Sequence, residues 1–153
     1  MKKTINIGSS ESNLAASLSN FNQYHFHIDG IFCASMEGFL QSLKFNNIEK
    51  QIEVCKLIGV KAKFKGNKRK WFNAQLLYWN GIEIPRGSIY YQDLLDRAFS
   101  EIFKNKEYQK NLFNTKNALL IHDIGKSDPT KTVLTIYEFC DRLMKMRDYN
   151  KKY

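Results

Sequence analysis

The chain has 153 residues, of which 43% are hydrophobic and 14% aromatic, and it carries a formal net charge of +9. This length and apolar content predict one folded domain, over residues 18–153, and exclude both a disordered chain and two independent cores. No window is long and apolar enough to span a membrane, and Met1-Lys2-Lys3 precedes a polar stretch rather than a signal sequence, so we expect a cytoplasmic protein.

The first part of the chain predicts a polar lead segment, a hairpin and a helix. Residues 1–17 are polar and rich in serine, so we expect them to be flexible or to dock late in folding. The stretch from His25 to Cys33 contains two short extended pieces joined by Asp29-Gly30, which is a strong hairpin signal. Ser35 can cap a following helix, which we expect to run from Met36 to about Asn46.

The middle of the chain predicts two more helices with a basic loop between them. The first covers Ile48–Ile58 and stops at Gly59. The basic stretch from Lys61 to Lys70 is expected to form a loop. A second helical run near Trp71–Trp79 is expected to end at Asn80-Gly81.

The last part of the chain has the clearest helical patterns. We predict an extended link over Ile82–Pro85, then a long helix capped by Ser88 with an apolar face from Tyr91 to Phe103, and then a short helix over Glu107–Phe113. A buried strand over Ala118–His122 and a polar loop over Gly125–Lys131 are expected to follow. The final helix is predicted to begin with a Thr135–Glu138 capping box. The elements together predict a mostly helical α+β domain with a small β-hairpin or sheet.

Neither the cysteines nor the histidines have the spacing of metal ligands. The residues concerned are Cys33, Cys55, Cys140, His25, His27 and His122. The three cysteines lie far apart and in no CxxC pair, so we interpret them as core thiols. We predict no metal ion and no other cofactor.

The positive charge is concentrated in one stretch, where six of the ten residues from Lys61 to Lys70 are Lys or Arg. Such a patch attracts phosphates without distinguishing their sequence, which suits nucleic acid or a diphosphate ligand. A solvated basic face would give the same pattern, so charge alone leaves both interpretations open.

Three polar residues of the predicted helix are candidates for chemistry. Glu37, Gln41 and Lys44 are spaced i, i+4 and i+7, so on a helix one acid, one amide and one amine share a face. An ordinary exposed polar face would have the same spacing. Similarly, Trp71 could stack on a base or belong to the core.

The order of several short motifs resembles that of the NADAR family, also called YbiA-like. The matching residues are Leu18-Ser19-Asn20-Phe21, the Asp29-Gly30 hairpin, Ser35-x-Glu37-x-Phe39-x-Gln41-x-x-Lys44-Phe45, and then Gly59, Ala62-Lys63, Trp71, Asp128 and Leu143-Met144-Lys145-Met146-Arg147. The resemblance covers Leu18 to Arg147. It implies a YbiA-like α+β fold.

The resemblance also implies a reaction, the hydrolysis of an N-glycosidic bond at C1 of a ribose. The substrate would be either ADP-ribose attached to the guanine amino group of nucleic acid or nucleotides, or a phosphorylated ribosylamino intermediate of riboflavin synthesis. The basic charge favours the first. Two departures bear on the substrate: Asp128-Pro129-Thr130-Lys131-Thr132 stands where the family has Asp-x-x-Trp-Gly, and His122 stands where a carboxylate is common.

Cleavage of a C1–N bond builds positive charge on the ribose, so a fixed carboxylate beside C1 is needed, and Glu37 can supply it. Lys44 can either capture C1 as a Schiff base or act as an electrostatic partner while water attacks directly. The resemblance adds Asp128 to the catalytic residues. The expected substrate contacts are Ser19, Asn20, Phe21, Gln41, Lys63 and Trp71, with Asn20 on ribose hydroxyls, Lys63 on a phosphate and Trp71 as a wall.

Two functions without catalysis remain open from the sequence. The domain could bind ADP-ribose or nucleotide derivatives without turning them over, or it could be a basic nucleic-acid-binding domain.

Overall fold

The structure is a computed structural model that describes residues 2–11 and 13–151. In chain order its elements are β1 (Thr4–Asn6), α1 (Asn13–Ser17), β2 (Phe26–Ile28), β3 (Ile31–Cys33), α2 (Met36–Ser42), α3 (Ile48–Cys55), α4 (Gly59–Asn67), a 3₁₀ turn (Trp71–Asn73), β4 (Leu76–Trp79), β5 (Ile82–Pro85), α5 (Ile89–Phe103), α6 (Lys106–Phe113), β6 (Leu119–Ile121) and α7 (Ile136–Asn150). The predicted α+β class, mostly helical with small sheets, is confirmed.

In the described part of the chain the strands form three separate two-stranded sheets. Strands β1 and β6 pair in parallel, whereas β2 with β3 and β4 with β5 are antiparallel hairpins. The first hairpin turns at Asp29 and Gly30, whose φ angles of 51° and 78° are those of a type I′ turn. This is the hairpin that the sequence predicts.

The lead segment contributes to the fold over part of its length. Thr4 pairs with Leu119 in the β1–β6 sheet, and Ile5 and Ile7 are buried. Residues 4–7 are therefore not frayed in the folded protein, because their alternating apolar side chains enter the core. Late docking of residues 1–17 stays a prediction.

A second hairpin replaces the helix predicted near Trp71–Trp79, and this prediction was wrong. Only Trp71–Asn73 is helical, as a single 3₁₀ turn, and β4 and β5 then meet at Asn80 and Gly81, with φ angles of 51° and 87°. Leu77 and Trp79 point into the core while their neighbours do not, which is the period of a strand. The Asn-Gly dipeptide and this alternation outweigh the apparent helical spacing.

The basic stretch forms helix α4 rather than the predicted loop. Gly59, which we expected to end a helix, has φ of 53° and begins α4, while α3 already ends at Cys55. Ala62 and Gly66, four residues apart, form the narrow buried face, and the basic side chains, including that of Lys63 at the cavity, are exposed to solvent. Because the buried face contains only these two small residues, the sequence shows no apolar helical period in this stretch.

Helix α2 is shorter than predicted because buried Gln51 binds the chain where it leaves the helix. The amide of Gln51 donates to Ser42 O at 3.0 Å and to Tyr78 O at 2.8 Å, and its oxygen accepts the Asn80 N–H. The bond to Ser42 O satisfies a carbonyl that a longer helix would use itself, and the other two tie the turn to the second hairpin. Lys44 therefore lies in the turn after α2, not on the helix.

The other helices agree with the sequence. The Ser35 and Ser88 caps, α5, α6 and the Thr135–Glu138 capping box are confirmed. Glu138 also receives a two-pronged ion pair from buried Arg86, at 3.1 Å and 2.6 Å. All three cysteines are buried and free, which confirms them as core thiols. Within residues 2–11 and 13–151 no helix is both long and apolar enough to cross a membrane.

The contact between α2 and the end of α3 leaves no room for a side chain at Gly38. A Cβ there would lie 2.5 Å from Leu57 O and 3.0 Å from Cys55 O, and backbone carbonyls cannot move away cheaply. We expect Gly38→Ala to lower the free energy of unfolding by about 1–3 kcal/mol, despite the better helix propensity of alanine. Gly87→Ala is the control, because a Cβ at Gly87 meets no atom within 4 Å. Equal stability of the two variants in urea would contradict this packing.

Candidate active site

A cavity of about 320 Å³ lies where α2, α4 and the loop after β6 meet. It is lined by nearly all the residues that the sequence singles out, namely Ser19, Asn20, Phe21, Glu37, Gln41, Lys44, Lys63 and Trp71. Its volume lies at the lower end of the range for small-molecule sites. The fold thus brings the predicted acid, amide and amine into one cavity, together with basic Lys63 and aromatic Trp71.

The start of α2 fixes Glu37 against the segment of Asn20. Ser35 caps the helix by accepting the Gly38 N–H at 3.0 Å, and its hydroxyl donates to Leu57 O. The Glu37 N–H donates to Asn20 O at 3.0 Å. These bonds anchor the backbone of two site residues to each other, so the Leu18–Phe21 motif and the α2 motif act as one wall.

Gln41 holds the carboxylate of Glu37 from one helical turn away. Its amide donates to Glu37 Oε1 at 2.8 Å. Its own oxygen is buried and has no hydrogen-bond partner among the described residues. This oxygen packs against Gly66 of α4, where an added Cβ would lie 1.7 Å from it. Gly66 is therefore required for α4 to approach the site.

Burial raises the pKa of Glu37 above its ordinary value. The hydrogen bond from Gln41 and the charges of Lys44, Lys63 and His122 act in the opposite direction. The carboxyl thus sits in a poorly solvated place where a nearby positive charge interacts with it strongly.

Burial also lowers the pKa of Lys44 to about 8, with Lys126 and Lys63 contributing in the same direction and Glu37 opposing them. A much larger fraction of this amine than of an ordinary lysine is therefore unprotonated near neutral pH, although the ammonium still predominates. An unprotonated amine is a nucleophile, whereas an ordinary surface lysine is almost fully an ammonium.

Asp128 is the predicted site residue that the cavity lining does not include. Its exposed carboxylate accepts the N–H and hydroxyl of Thr130 at 2.9 Å and 2.8 Å, and these bonds lower its pKa. The side chain stabilises its own loop, which is the usual role of aspartate before a turn. Its catalytic role stays an untested prediction and is not used below.

The cavity also contains residues that the sequence argument missed. Those with polar side chains are Ser9, Asn67, His122, Lys126, Lys131 and Thr132. Asn67 follows Lys63 by four residues on α4, so it could be found only by recognising the basic stretch as a helix. Lys126 and Lys131 belong to the loop after β6, whose path no local pattern indicates.

Lys44 destabilises the folded state while it is charged, which gives a pH-dependent signature. Its folded pKa of about 8 lies below the ordinary 10.5. The penalty is therefore fully present below pH 8 and disappears as the pH rises towards 10.5. Relative to Lys44→Met, the wild-type free energy of unfolding should rise by on the order of 1–3 kcal/mol over this interval.

Denaturant unfolding at several pH values measures this difference. Lys56→Met, which replaces an exposed lysine after α3, is the control. An equal pH-dependent change for both variants, or none for Lys44→Met, would contradict the burial of Lys44.

Comparison with known proteins assigns the chain to a family. A family model described as bacteriophage protein GP30.3 matches residues 12–148. A protein of Enterobacteria phage T4, described as an uncharacterized 17.1 kDa protein in the Gp30-rIII intergenic region, is 37% identical over 140 residues, covering 88% of this chain and 90% of that protein.

The NMR structure of the E. coli protein YbiA aligns with a TM-score of 0.63 over 99% of this chain and 88% of that chain, at 18% identity. This likeness shows the fold and confirms the predicted resemblance to YbiA-like proteins. The chain belongs to the bacteriophage GP30.3 family and has the YbiA-like fold.

Proposed function

We propose that the protein is an N-glycosidase that hydrolyses the C1–N bond of a ribose and removes ADP-ribose from the guanine amino group of nucleic acid or nucleotides. The observation that carries this proposal is the presence of Glu37 and Lys44 in one cavity, where burial favours the unprotonated amine of Lys44 and the Gln41 hydrogen bond and nearby lysines favour the carboxylate of Glu37. The NADAR resemblance supports the reaction class, and the YbiA-like fold is consistent with a hydrolase.

Glu37 stabilises the positive charge that develops at C1. Because the carboxyl is half-buried at the cavity wall, water screens it from a cationic sugar less than it screens a surface carboxylate. Its hydrogen bond from Gln41 fixes its orientation before substrate arrives. A preoriented carboxylate therefore does not have to reorganise as the C1–N bond weakens.

Lys44 forms a covalent intermediate with C1. A ribose on an exocyclic amine opens to an imine, and the unprotonated Lys44 amine adds to C1. Both protons of the Lys44 amine move to the guanine nitrogen, the bond from C1 to that nitrogen breaks, and a C1–Nζ imine remains. Water then adds to this imine, both water protons move to Nζ, and the C1–Nζ bond breaks. The Lys44 amine is restored, and the C1 aldehyde closes again to free ADP-ribose.

The cations of the cavity suit the phosphates of the substrate. Lys63, Lys126 and Lys131 line it, and buried Trp71 gives a flat apolar wall. Lysine recognises phosphate as a point charge, and an aromatic ring stacks on a base or sugar face. Asn20 stays our candidate for the ribose hydroxyls.

The outer face of α4 suits the rest of a nucleic acid strand. Phe64 is 60% exposed with the Lys68 ammonium 4.5 Å from its ring centroid, and Lys61 and Lys65 are exposed nearby. Aromatic rings interleaved with cations are typical of surfaces that bind single strands. Because α4 also carries Lys63 into the cavity, a strand on this face would lead to the site.

Replacing the Glu37 carboxylate by an amide should remove turnover without unfolding the protein. We expect Glu37→Gln to lower the rate of ADP-ribose release from an ADP-ribosylated guanine oligonucleotide by about 10² or more. Glu49→Gln, which changes an exposed glutamate of α3, is the matched control. Near wild-type rates for Glu37→Gln would exclude the proposed role. Tight binding of the oligonucleotide by the wild-type protein without release would instead identify a binding module.

The basic end of α4 should affect polymeric and small substrates differently. Replacing Lys65, Lys68, Arg69 and Lys70 together by Gln should weaken binding of the modified oligonucleotide and flatten its salt dependence, because each lost phosphate contact removes about 0.7–0.9 from the slope of log K against log salt. Hydrolysis of a small ADP-ribosyl nucleoside should hardly change.

The control for this variant replaces exposed lysines of the α6 region, namely Lys104, Lys106, Lys110 and Lys116. If the α4 variant loses equal activity on both substrates, Lys65, Lys68, Arg69 and Lys70 belong to the reaction site itself. Equal weakening of oligonucleotide binding by the two sets would make the effect one of net charge alone.

A further inference from the structure

The imidazole of His122 is held in one tautomer at the wall of the cavity. Its Nδ1 lies 2.6 Å from the carbonyl oxygen of Ile7. A carbonyl oxygen only accepts hydrogen bonds, so Nδ1 must carry the hydrogen. In the neutral ring the lone pair is then on Nε2.

The ring cannot easily turn away from this position. It meets the Phe139 ring edge-on, with centroids 5.5 Å apart. On another side Gly125 approaches so closely that an added Cβ would lie 2.6 Å from His122 Cδ2. Packing and the bond to Ile7 therefore fix the direction of Nε2.

Nε2 is left available to whatever occupies the cavity. Within residues 2–11 and 13–151 it has no hydrogen-bond partner, and it is not among the buried polar atoms that lack one. Since His122 lines the cavity and its Nδ1 is already bonded, Nε2 is the ring nitrogen that can accept a proton from an occupant of the site.

The other titratable groups of the lining are less suited to accept a proton. They are Glu37 from α2, Lys44 from the turn after it, Lys63 from α4, and Lys126 and Lys131 from the loop after β6. Glu37 already accepts a hydrogen bond and is assigned to stabilise charge, while Lys44 is assigned as the nucleophile. The remaining lysines are suited to phosphates rather than to accepting protons.

We propose that His122 is a further catalytic residue, whose Nε2 takes a proton from the water that attacks C1. This inference rests on the function proposed above. Water oxygen bonds to C1 of the Lys44 imine, one water proton moves to Nε2, and His122 passes it to Nζ, which leaves a hydroxyl and the Lys44 amine on C1. The hydroxyl proton then moves to Nζ through Nε2 as the C1 carbonyl forms and the C1–Nζ bond breaks, so the Lys44 amine and the neutral His122 ring are regenerated.

His122→Asn tests this role, because an asparagine amide can still donate to Ile7 O at the position of Nδ1 but has no group at the position of Nε2. We expect kcat to fall by about 10² or more and KM to fall with it, because only the breakdown of the adduct is slowed. Borohydride should trap more Lys44 adduct than in the wild type, because the adduct forms but is hydrolysed slowly. His122→Glu, whose longer side chain can bring a carboxylate oxygen to the position of Nε2, should recover part of kcat. The control is His27→Asn, at an exposed hairpin position.

Wild-type kcat and adduct levels in His122→Asn would overturn this inference and leave the proposed function intact. Absence of ADP-ribose release by the wild-type protein would overturn both. Nitrogen-15 NMR of the histidine rings gives a readout that does not depend on activity. It should find hydrogen on Nδ1 of His122 in the neutral ring, and hydrogen on Nε2 instead would overturn the inference.

Discussion

The close contact of α4 with α2 at Gly66 organises the site. Gly66 leaves room for the Gln41 side chain, and Gln41 in turn holds the Glu37 carboxylate. The same contact brings Lys63 and Asn67 to the cavity. The Gln41 oxygen against Gly66 has no hydrogen-bond partner among the described residues, and such a group costs about 1–3 kcal/mol. The stabilisation that offsets this cost comes from the core around it.

The site contains two ionisable groups, Glu37 and Lys44, whose burial lowers the stability of the fold. Hydrogen bonds to the backbone around them hold both residues in place. The α2 cap at Ser35, the bond from Glu37 N–H to Asn20 O, and the amide of Gln51 around the following turn each satisfy backbone groups near the cavity. They let one short helix and one turn present an acid and an amine to a poorly solvated space. Perturbed pKa values in a cleft are typical of functional sites, and here the physical cause is burial.

The sequence predicted those parts of the molecule that local patterns determine. The Asp29-Gly30 hairpin, the long apolar face of α5 and the Thr135 capping box each follow from a few neighbouring residues. Helix α4 was missed because its buried face consists only of Ala62 and Gly66. The second hairpin was missed because a short apolar run is compatible with either a helix or a strand. The pairing of β4 with β5 determines that this run is a strand.

The same distinction applies to the site. Glu37, Gln41 and Lys44 were found from their spacing and from the ordered motifs, although Lys44 lies beyond the helix that the spacing assumed. His122 and Lys126 come from a segment about 80 residues further on, which the parallel pairing of β6 with β1 carries to the cavity. No local pattern encodes that placement. Asp128 shows the converse, because a motif position in a loop does not determine where its side chain lies.

The most direct test of the account is to add borohydride while the protein acts on an ADP-ribosylated guanine oligonucleotide, and to locate the modified residue by mass spectrometry. The account predicts release of ADP-ribose without borohydride and, with it, a reduced ribose adduct on Lys44. Turnover with no lysine adduct would contradict the covalent role of Lys44 and favour direct attack by water. An adduct on a different lysine would place the reaction outside the Glu37–Lys44 pair.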